Sequence, residues 1–415
     1  MVKLISKDLQ AYLISTNQPE CLEYLEGIQS LIKVDSTCLS FNATFLEEVF
    51  AFLNFSPELK LFLKDSLVLL KDFSFVEEIL NISRVILQNS QGINQNKWPK
   101  ISPAKHPMGS ALEIYTLLFN IPLMLERYQT LKIPQKYATD LLQDLNIWIE
   151  DFYKKNGRYG LSELGWLSNH FNLKIFQIGR LQFEPRINPL PYYGFQNNST
   201  KQVLILVKND QKIRKDGLFN GTNDTTEEDL FTTEYVVDSQ NVCGAVVDPS
   251  GVILKEQKTL SLAKWKPILS PESTVLSLHI PASGALKKEL IDGSLEDAKV
   301  FFRLYFPQIN FECFMTVTWF MDPAIEKYLP NSNIVSFQKA VYLLPVPKAN
   351  NIQFNERVFG VKEIDINTFD AQTSLQKAGI EHMRKGGKWK NFGFFLFKED
   401  VPLLEGLYRE QFNKR

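Results

Sequence analysis

Apolar residues recur every three to four positions through the first 155 residues, a spacing that predicts one helix after another. Leu141, Leu145, Trp148 and Phe152 share one face of the last of these helices, which we expect to end at Gly157. The repeated helical spacing predicts an all-helical N-terminal domain over residues 1–155.

After Gly157 the pattern changes to short runs of aliphatic and aromatic residues that predict strands. The clearest runs are 176–184, 203–207, 275–280 and 311–320. The turn sequence Asp248-Pro-Ser-Gly251 predicts a hairpin between the short runs 246–247 and 252–254. Later strands alternate with expected helices, one capped by Ser294 and one beginning at Asp322-Pro323. This order predicts a mixed α/β sheet covered by helices over residues 156–415. The whole chain is therefore expected to be α+β.

Composition narrows the function classes. The 46 basic and 47 acidic residues leave a net charge of −1, which does not favour a nucleic-acid partner. No stretch approaches the ~18 apolar residues of a membrane span, and the N-terminus lacks the pattern of a secretory signal. We therefore expect a cytoplasmic protein with no membrane partner.

Metal and disulfide chemistry are not expected. The four histidines are far apart, and no His or Cys pair has zinc-ligand spacing. Cys21, Cys38, Cys243 and Cys313 are scattered without a C-x-x-C pair, so we interpret them as reduced thiols.

The segment from Leu278 to Leu286 combines a strand end with a glycine-containing turn. Pro281 blocks extension of the strand, and Ser283-Gly284 is expected to open a helix near Ala285. Free backbone N–H groups at such a helix start suit a pyrophosphate or a carboxylate. The alternative is that Gly284 only eases the turn.

Two further groups of residues suggest chemistry at the strands. His279 ends its strand and can serve as a general base, or it can be purely structural. Arg180, Gln182 and Glu184 alternate along another strand, with Arg180 as an anion anchor and Glu184 as a base. Spacing alone favours the other interpretation of this second row, a solvated strand face with a diagonal Arg–Glu pair.

Two weaker patterns favour structural interpretations. Cys313, His279 and Asp322 could form a relay, but phenylalanines flank Cys313 and favour a buried, inert thiol. Lys390 belongs to a basic segment around Gly386-Gly387, for which a solvated turn before the last strand is preferred to a phosphate site.

Several of these segments resemble a bacterial two-domain family of N-acyltransferases. The matching residues are Gly160-Leu-Ser-Glu-Leu-Gly-Trp166-Leu-x-x-His170, Ile178-Gly-Arg180-Leu-Gln182-Phe, Leu278-His279-Ile-Pro281-Ala-x-Gly284-x-Leu286, Trp319-x-x-Asp322-Pro323 and Leu329-Pro-x-Ser332-Asn333-Ile. The family pairs a helical N-terminal domain with a C-terminal domain similar to the GNAT acyltransferases. The likeness covers nearly the whole chain and is strongest from residue 156 onward.

The resemblance implies an acyl-CoA donor, either acetyl-CoA or another acyl-CoA. It implies that the loop with Pro281, Ser283, Gly284 and Ala285 holds the pyrophosphate on its backbone N–H groups, although only the middle of the usual Q/R-x-x-G-x-G/A pattern is present. It further implies His279 or Glu184 as the base and Tyr328 as the acid.

The predicted site gathers these residues at the ends of the strands that finish at Ile280 and Phe320. The side chains expected to bind the substrate are Arg180, Gln182, Trp319, Asp322 and Asn333.

The leading hypothesis is an acyl-CoA-dependent N-acyltransferase acting on a small amine. One alternative is a GNAT-like module that binds a small polar ligand without catalysis. Another assigns the function to the helical half, as a platform for protein interactions.

Overall fold

The structure is a computed structural model that describes residues 5–28 and 40–414, so Cys38 lies outside the described residues. The chain divides into two compact units. The first contains residues 1–178 together with 281–283, and the second contains residues 179–280 and 284–415. The predicted domain border at residue 155 stays a prediction.

The first unit is helical, as predicted. Its helices are α1 (Lys7–Ser15), α2 (Pro19–Ile28), α3 (Ala43–Phe50), α4 (Pro57–Asp65), α5 (Leu69–Asp72), α6 (Val76–Gln88), α7 (Ala111–Leu118), α8 (Ile121–Thr130), α9 (Gln135–Asn156) and α10 (Leu164–Phe171), followed by the short strand β1 (Phe176–Ile178). Nowhere in the described chain is a helix both long enough and apolar enough to cross a membrane.

Local signals explain where several helices begin and end. The Ser56 side chain accepts a hydrogen bond from Leu59 N–H at the start of α4, with Pro57 in the first turn. Gly157 ends α9 with φ 67°, a left-handed conformation that glycine adopts without strain. Arg127 donates from its guanidinium to the carbonyls of Leu87 and Phe171, at the C-terminal ends of α6 and α10. These bonds satisfy carbonyls that a helix leaves unpaired.

The second unit contains most of the strands. They are β2 (Leu181–Ile187), β3 (Tyr192–Asn197), β4 (Val203–Val207), β5 (Lys212–Ile213), β6 (Phe231–Thr232), β7 (Tyr235–Val237), β8 (Asn241–Asp248), β9 (Val252–Ser261), β10 (Trp265–Leu269), β11 (Thr274–His279), β12 (Cys313–Thr318), β13 (Tyr342–Leu344) and β14 (Phe392–Phe397). Its helices are α11 (Lys288–Tyr305), α12 (Asn333–Lys339), α13 (Ile352–Phe354), α14 (Ser374–Arg384) and α15 (Leu407–Asn413). The predicted α+β class is confirmed.

The strand that bears the site belongs to a mixed sheet. Strands β2, β11, β12, β14 and β13 lie side by side in that order. Strands β11 and β12 run parallel, whereas β2 and β14 run antiparallel to their neighbours. A second sheet has the order β10-β3-β4-β8-β7, and β9 also pairs with β8. The predicted turn at residues 248–251 joins β8 to β9 as an antiparallel hairpin.

Aromatic packing covers one face of the first sheet with α11. The rings of Phe183 on β2 and Phe314 on β12 lie 5.9 Å apart, edge to face. Phe302 of α11 lies 6.3 Å from Phe311, and Phe183, Phe302 and Phe314 are fully buried. Burial of such rings supplies much of the stabilising free energy of a core. The opposite face is therefore where polar side chains of β2 and β11 can be tolerated.

Candidate functional site

The candidate site lies at one edge of the first sheet. Because β11 and β12 are parallel, their C-terminal residues His279 and Thr318 reach the same edge. The antiparallel partners place their first residues there, with Gln182 opposite His279 and Phe392 opposite Thr318. Four segments distant in the sequence thus meet at this edge.

His279 and Glu184, which the sequence suggests as alternative bases, lie next to each other. The Nε2 atom of His279 lies 3.3 Å from Glu184 Oε2, and about a quarter of each side chain is exposed, 26% and 25%. Directly opposite residues on paired strands share a face, so Gln182, Glu184, Ser277 and His279 point to the same side of the sheet. This face combines an imidazole with a carboxylate that can orient it.

Gln182 is the most buried member of this group. Its side chain is 2% exposed, and its amide Nε2 atom has no hydrogen-bond partner in the described chain. Burying a donor without a partner costs free energy. A bound polar ligand can supply the missing acceptor, which explains such groups at binding sites. The position of Gln182 opposite His279 therefore suits a substrate-binding role.

The parallel strands β11 and β12 separate toward this edge. Leu276 pairs with Phe314 and Ser277 with Met315, and the described residues beyond them on the two strands are not paired with each other. The N–H of Leu278 takes part in that last pairing and the N–H of His279 faces β2, so the next donor that faces the gap is the N–H of Val317 on β12. A backbone N–H in such a gap can donate to a ligand carbonyl.

The turn after β11 differs from the prediction in where its helix begins. Gly284 has φ 101°, which is not helical, and α11 begins at Lys288 instead of near Ala285. Ser294, predicted to cap a helix, lies within α11 instead. Its hydroxyl accepts a hydrogen bond from the backbone N–H of Arg180 at 2.7 Å and donates to Leu290 O.

The turn leaves a row of backbone donors without partners. In the described chain, the N–H groups from Gly284 to Glu289 donate no hydrogen bond. Most of the turn is exposed, including Ser283, Gly284 and Ala285, and Pro281 is partly buried. A Cβ atom added at Gly284 would find open space. This row at the start of an eighteen-residue helix can accept an anion such as a pyrophosphate.

Arg180 lies elsewhere than predicted. Gly179 has φ 60° and interrupts the predicted strand, so β2 begins at Leu181 and Arg180 is not in line with Gln182 and Glu184. Its Nη2 atom instead donates to the carbonyl of Gly284 at 2.7 Å. Burial lowers the pKa of the Arg180 guanidinium, which remains a cation at neutral pH.

Asp322 is held at the end of β12. It is 1% exposed, its Oδ1 atom accepts from Ala324 N–H, and its Oδ2 atom accepts from Lys390 N–H, both at 3.0 Å. The Lys390 ammonium lies 3.5 Å from the same oxygen. Burial raises the pKa of Asp322, opposed mainly by Lys390. These contacts support a structural role for Asp322 at the site edge, and Lys390 is not in the solvated turn that we predicted.

Tyr328 pairs with a histidine that the sequence analysis did not select. Its hydroxyl lies 3.3 Å from His382 Nδ1. The His382 ring packs against Trp389, with ring centres 4.4 Å apart. Burial lowers the pKa of His382, which favours the neutral imidazole that can accept from the tyrosine. Tyr328 and His382 are 54 positions apart in the sequence, so local spacing gave no signal for their contact.

The contacts of Trp319 and Asn333 are with residues other than His279 and Glu184. Trp319 donates its backbone N–H to the Gln353 side chain at 2.9 Å, and its ring lies 5.4 Å from that of Phe354. Asn333 is exposed at the start of α12, where it lines a cavity of about 30 Å³ with Leu286. Neither contact brings them to His279.

A relay through Cys313 is not formed. Cys313 begins β12 and His279 ends β11, so they lie at opposite ends of parallel strands. Cys313 is fully buried, and burial raises the pKa of its thiol well above the usual value. The thiol is buried, as the flanking phenylalanines predict, and its inertness stays a prediction. No group of three or more His, Cys, Asp or Glu side chains in the described ranges is arranged to hold a metal ion.

Comparisons with protein families match both parts of the chain. A family model described as a GNAT-like C-terminal domain matches residues 175–395, more than half of the chain. A model described as an N-acyltransferase N-terminal domain matches residues 79–173. None of the curated proteins matches this chain in sequence.

Solved structures with a similar fold are acyltransferases. An acyltransferase mutant in complex with octanoyl-CoA has a TM-score of 0.66 and 16% identity, with 94% of this chain and 98% of that chain covered. An acyltransferase in complex with decanoyl-CoA and teicoplanin has a TM-score of 0.64 and 17% identity over the same shares. At these identities the likeness shows a shared fold.

Proposed function

Because this chain belongs to the family with the GNAT-like C-terminal domain, as its sequence resemblance indicated, we propose that it is an acyl-CoA-dependent N-acyltransferase acting on the amino group of a small molecule. The observation that carries the proposal is the parallel pair β11–β12. The two strands are not paired with each other beyond Ser277 and Met315. The turn that follows β11 has backbone N–H groups without partners in the described chain. That arrangement suits a thioester in the gap and a pyrophosphate at the turn.

The residues present fit an acyl-CoA donor. The N–H groups from Gly284 to Glu289 and the positive end of α11 would hold the pyrophosphate. Gly284 allows a phosphate to approach the backbone closely, since nothing lies within 4 Å of the position that a Cβ atom would take there. The gap between β11 and β12 would receive the pantetheine arm and the acyl group. When bound, acyl-CoA supplies an activated thioester carbonyl.

The proposed roles of the side chains follow the needs of acyl transfer. His279, oriented by Glu184, removes a proton from the acceptor ammonium so that the nitrogen lone pair can attack the thioester carbon. The N–H of Val317 that faces the gap donates to the carbonyl oxygen as negative charge develops there. The C–N bond forms, the C–S bond breaks, and Tyr328 donates its hydroxyl proton to the leaving thiolate. The attacking nitrogen loses its second proton to water, from which Tyr328 is reprotonated.

Gln182 and Asp322 complete the proposed site in supporting roles. Gln182 presents an unpaired amide beside His279 and would hydrogen-bond the acceptor. Asp322 fixes the segment after β12 through Lys390 and Ala324 and so fixes the approach to Tyr328. Trp319 and Asn333 stay predictions as substrate contacts. The acceptor is a small amine, and octanoyl-CoA and decanoyl-CoA are donors to try beside acetyl-CoA, because acyltransferases of this fold hold them.

Calorimetric titration of the whole protein with acetyl-CoA, decanoyl-CoA and free CoA tests the proposal. We expect saturable binding by the wild-type protein and its loss in Gly284→Glu, which places a negative charge among the unpaired N–H groups. Gly293→Glu is the matched control, because Gly293 is exposed within the same helix and has open space around it.

Two outcomes would contradict the proposal. Absence of binding at millimolar ligand by the wild-type protein would remove the acyl-CoA site. Saturable binding with no acyl transfer to any amine in a broad acceptor screen would favour a GNAT-like module without catalysis.

A further inference from the structure

Arg180 contacts the turn that follows β11 through its side chain. Its Nη2 atom donates to Gly284 O at 2.7 Å, and its Nε atom lies 3.5 Å from Ala285 O. Its own backbone N–H is fixed by the hydroxyl of Ser294 in α11. Arg180 is thus anchored to the helix through its backbone and to the turn through its guanidinium.

These two contacts determine which way the neighbouring N–H groups point. In a trans peptide unit the C=O and N–H bonds point in opposite directions. When Arg180 holds the carbonyls of Gly284 and Ala285, it turns the N–H groups of Ala285 and Leu286 away from itself. Those N–H groups belong to the row without partners in the described chain.

The turn has few other internal contacts. In the described chain, the hydrogen bonds to the carbonyls of Gly284 and Ala285 come from Arg180 alone. Both residues are exposed, and the conformation of Gly284 is one that glycine visits among several of similar free energy. Without Arg180 the turn would sample other orientations, and ordering it on binding would cost affinity.

We propose that Arg180 is a positioning residue that pre-organises the N–H groups of Ala285 and Leu286 for the pyrophosphate of acyl-CoA. This inference rests on the proposed function and replaces the predicted role of Arg180 as a direct anion anchor. The Nη2 and Nε atoms of Arg180 are used on two neutral carbonyls, so through these contacts the side chain acts on the backbone of the turn.

The test compares two donors in steady-state kinetics of the full chain. Decanoyl-CoA contains the pyrophosphate, whereas S-decanoyl-pantetheine ends before it. For Arg180→Ala we expect KM for decanoyl-CoA to rise about tenfold or more, as loss of a charge-assisted hydrogen bond implies. KM for the pantetheine thioester and kcat for both donors should change by less than about twofold, since neither depends on a hydrogen bond to the pyrophosphate.

Arg180→Lys separates positioning from direct contact. Lysine keeps the charge but cannot donate to both carbonyls in a fixed geometry, so it should be nearly as impaired as alanine. Arg303→Ala, at the exposed far end of α11, is the matched control and should behave as wild type.

Several results would overturn the inference. One is a lysine variant that restores KM for decanoyl-CoA, which would indicate direct contact with the phosphates. Others are an equal rise of KM for both donors, or no rise for either. A wild-type protein that shows no saturation with decanoyl-CoA would instead overturn the proposed function itself.

Discussion

His279 Nε2 and Glu184 Oε2 lie 3.3 Å apart although 95 positions separate the residues in the sequence. The antiparallel pairing of β11 with β2 creates the contact by placing Gln182 opposite His279 and Glu184 opposite Ser277. Each side chain is partly exposed at the sheet edge, so the pair is accessible to a substrate. A carboxylate beside an imidazole orients the ring and stabilises its protonated form.

A double-mutant cycle tests whether the two residues act as a unit. His279→Ala should lower kcat/KM for acyl transfer by roughly 10²–10⁴, the range for loss of a general base. Glu184→Gln should lower it less, because the imidazole remains. The double variant should be no worse than His279→Ala alone, since groups that act together are not additive.

Glu272→Gln is a matched control for this cycle, because Glu272 is an exposed carboxylate on the turn before β11. Losses that simply multiply in the double variant would show that Glu184 acts independently of His279.

Replacing Tyr328 with phenylalanine tests the proposed acid. Tyr328→Phe removes the hydroxyl that lies 3.3 Å from His382 Nδ1 and keeps the ring. We expect kcat with an alkyl thioester such as decanoyl-CoA to fall about 10–100-fold, with little change in KM for the donor. An aryl thioester releases a more acidic thiol that needs no proton, so the defect should shrink with that donor.

Tyr305→Phe, near the end of α11, is the matched control for loss of a tyrosine hydroxyl. A defect of the same size with alkyl and aryl donors would argue that Tyr328 is structural.

Glu113 should make stability depend on pH in a distinctive window. This partly buried carboxyl lies in the first turn of α7, and removal from water raises its pKa from 4.5 to about 7, opposed by Lys100. From pH 4.5 to about 7 the unfolded chain has lost the proton while the folded protein keeps it. Stability therefore falls as pH rises through this window and levels off above it.

With allowance for partial exposure, the contribution of Glu113 is roughly 1–3 kcal/mol of unfolding free energy. Urea unfolding of Glu113→Gln across pH 4.5–8 should show a shallower decline than wild type, since glutamine does not ionise. Glu58→Gln is the control, because Glu58 is an exposed carboxylate in the first turn of α4. A pH dependence identical to wild type in Glu113→Gln would disprove the assignment.

Two glycines should respond oppositely to alanine. A Cβ at Gly109 would overlap the backbone carbonyl of Ile101, which cannot move aside as a flexible side chain would. Gly109→Ala should therefore lower the unfolding free energy by more than about 2 kcal/mol. Gly293 lies within α11 and has open space around it. Gly293→Ala should therefore raise the unfolding free energy by about 0.5–1 kcal/mol. Urea unfolding followed by circular dichroism measures both, and a stable Gly109→Ala protein would contradict this packing.

Sequence patterns predicted the class of fold well because helices and strands depend on local periodicity. The helical first part, the β8–β9 hairpin and the strands now seen as β4, β11 and β12 follow from apolar spacing and turn residues. Single-residue conformations were less predictable. A positive φ at Gly179 ends the strand that alternation alone extended, and it moved Arg180 out of the predicted row.

The candidate site could be predicted only in part, because the order of the strands in the sheet decides which residues meet there. His279 and Glu184 were each chosen for their chemistry, but their contact depends on β11 lying beside β2. His382 was not chosen, because its contact with Tyr328 depends on the pairing of β12 with β14. Ser294 has a typical capping side chain, yet it lies inside α11 and serves Arg180. Such long-range contacts leave no trace in local spacing.

The separation of β11 from β12 has a consequence for amide hydrogen exchange. Among the described residues, pairing between these strands ends at Ser277 and Met315, so the N–H group of Val317, the next on β12 to face β11, has no partner on β11 in the ligand-free protein. That amide should exchange rapidly although it lies in a central strand, where slow exchange is the rule. A bound thioester would accept its hydrogen bond and slow the exchange. The same site would thus report ligand occupancy at a single backbone position, without any change in fold.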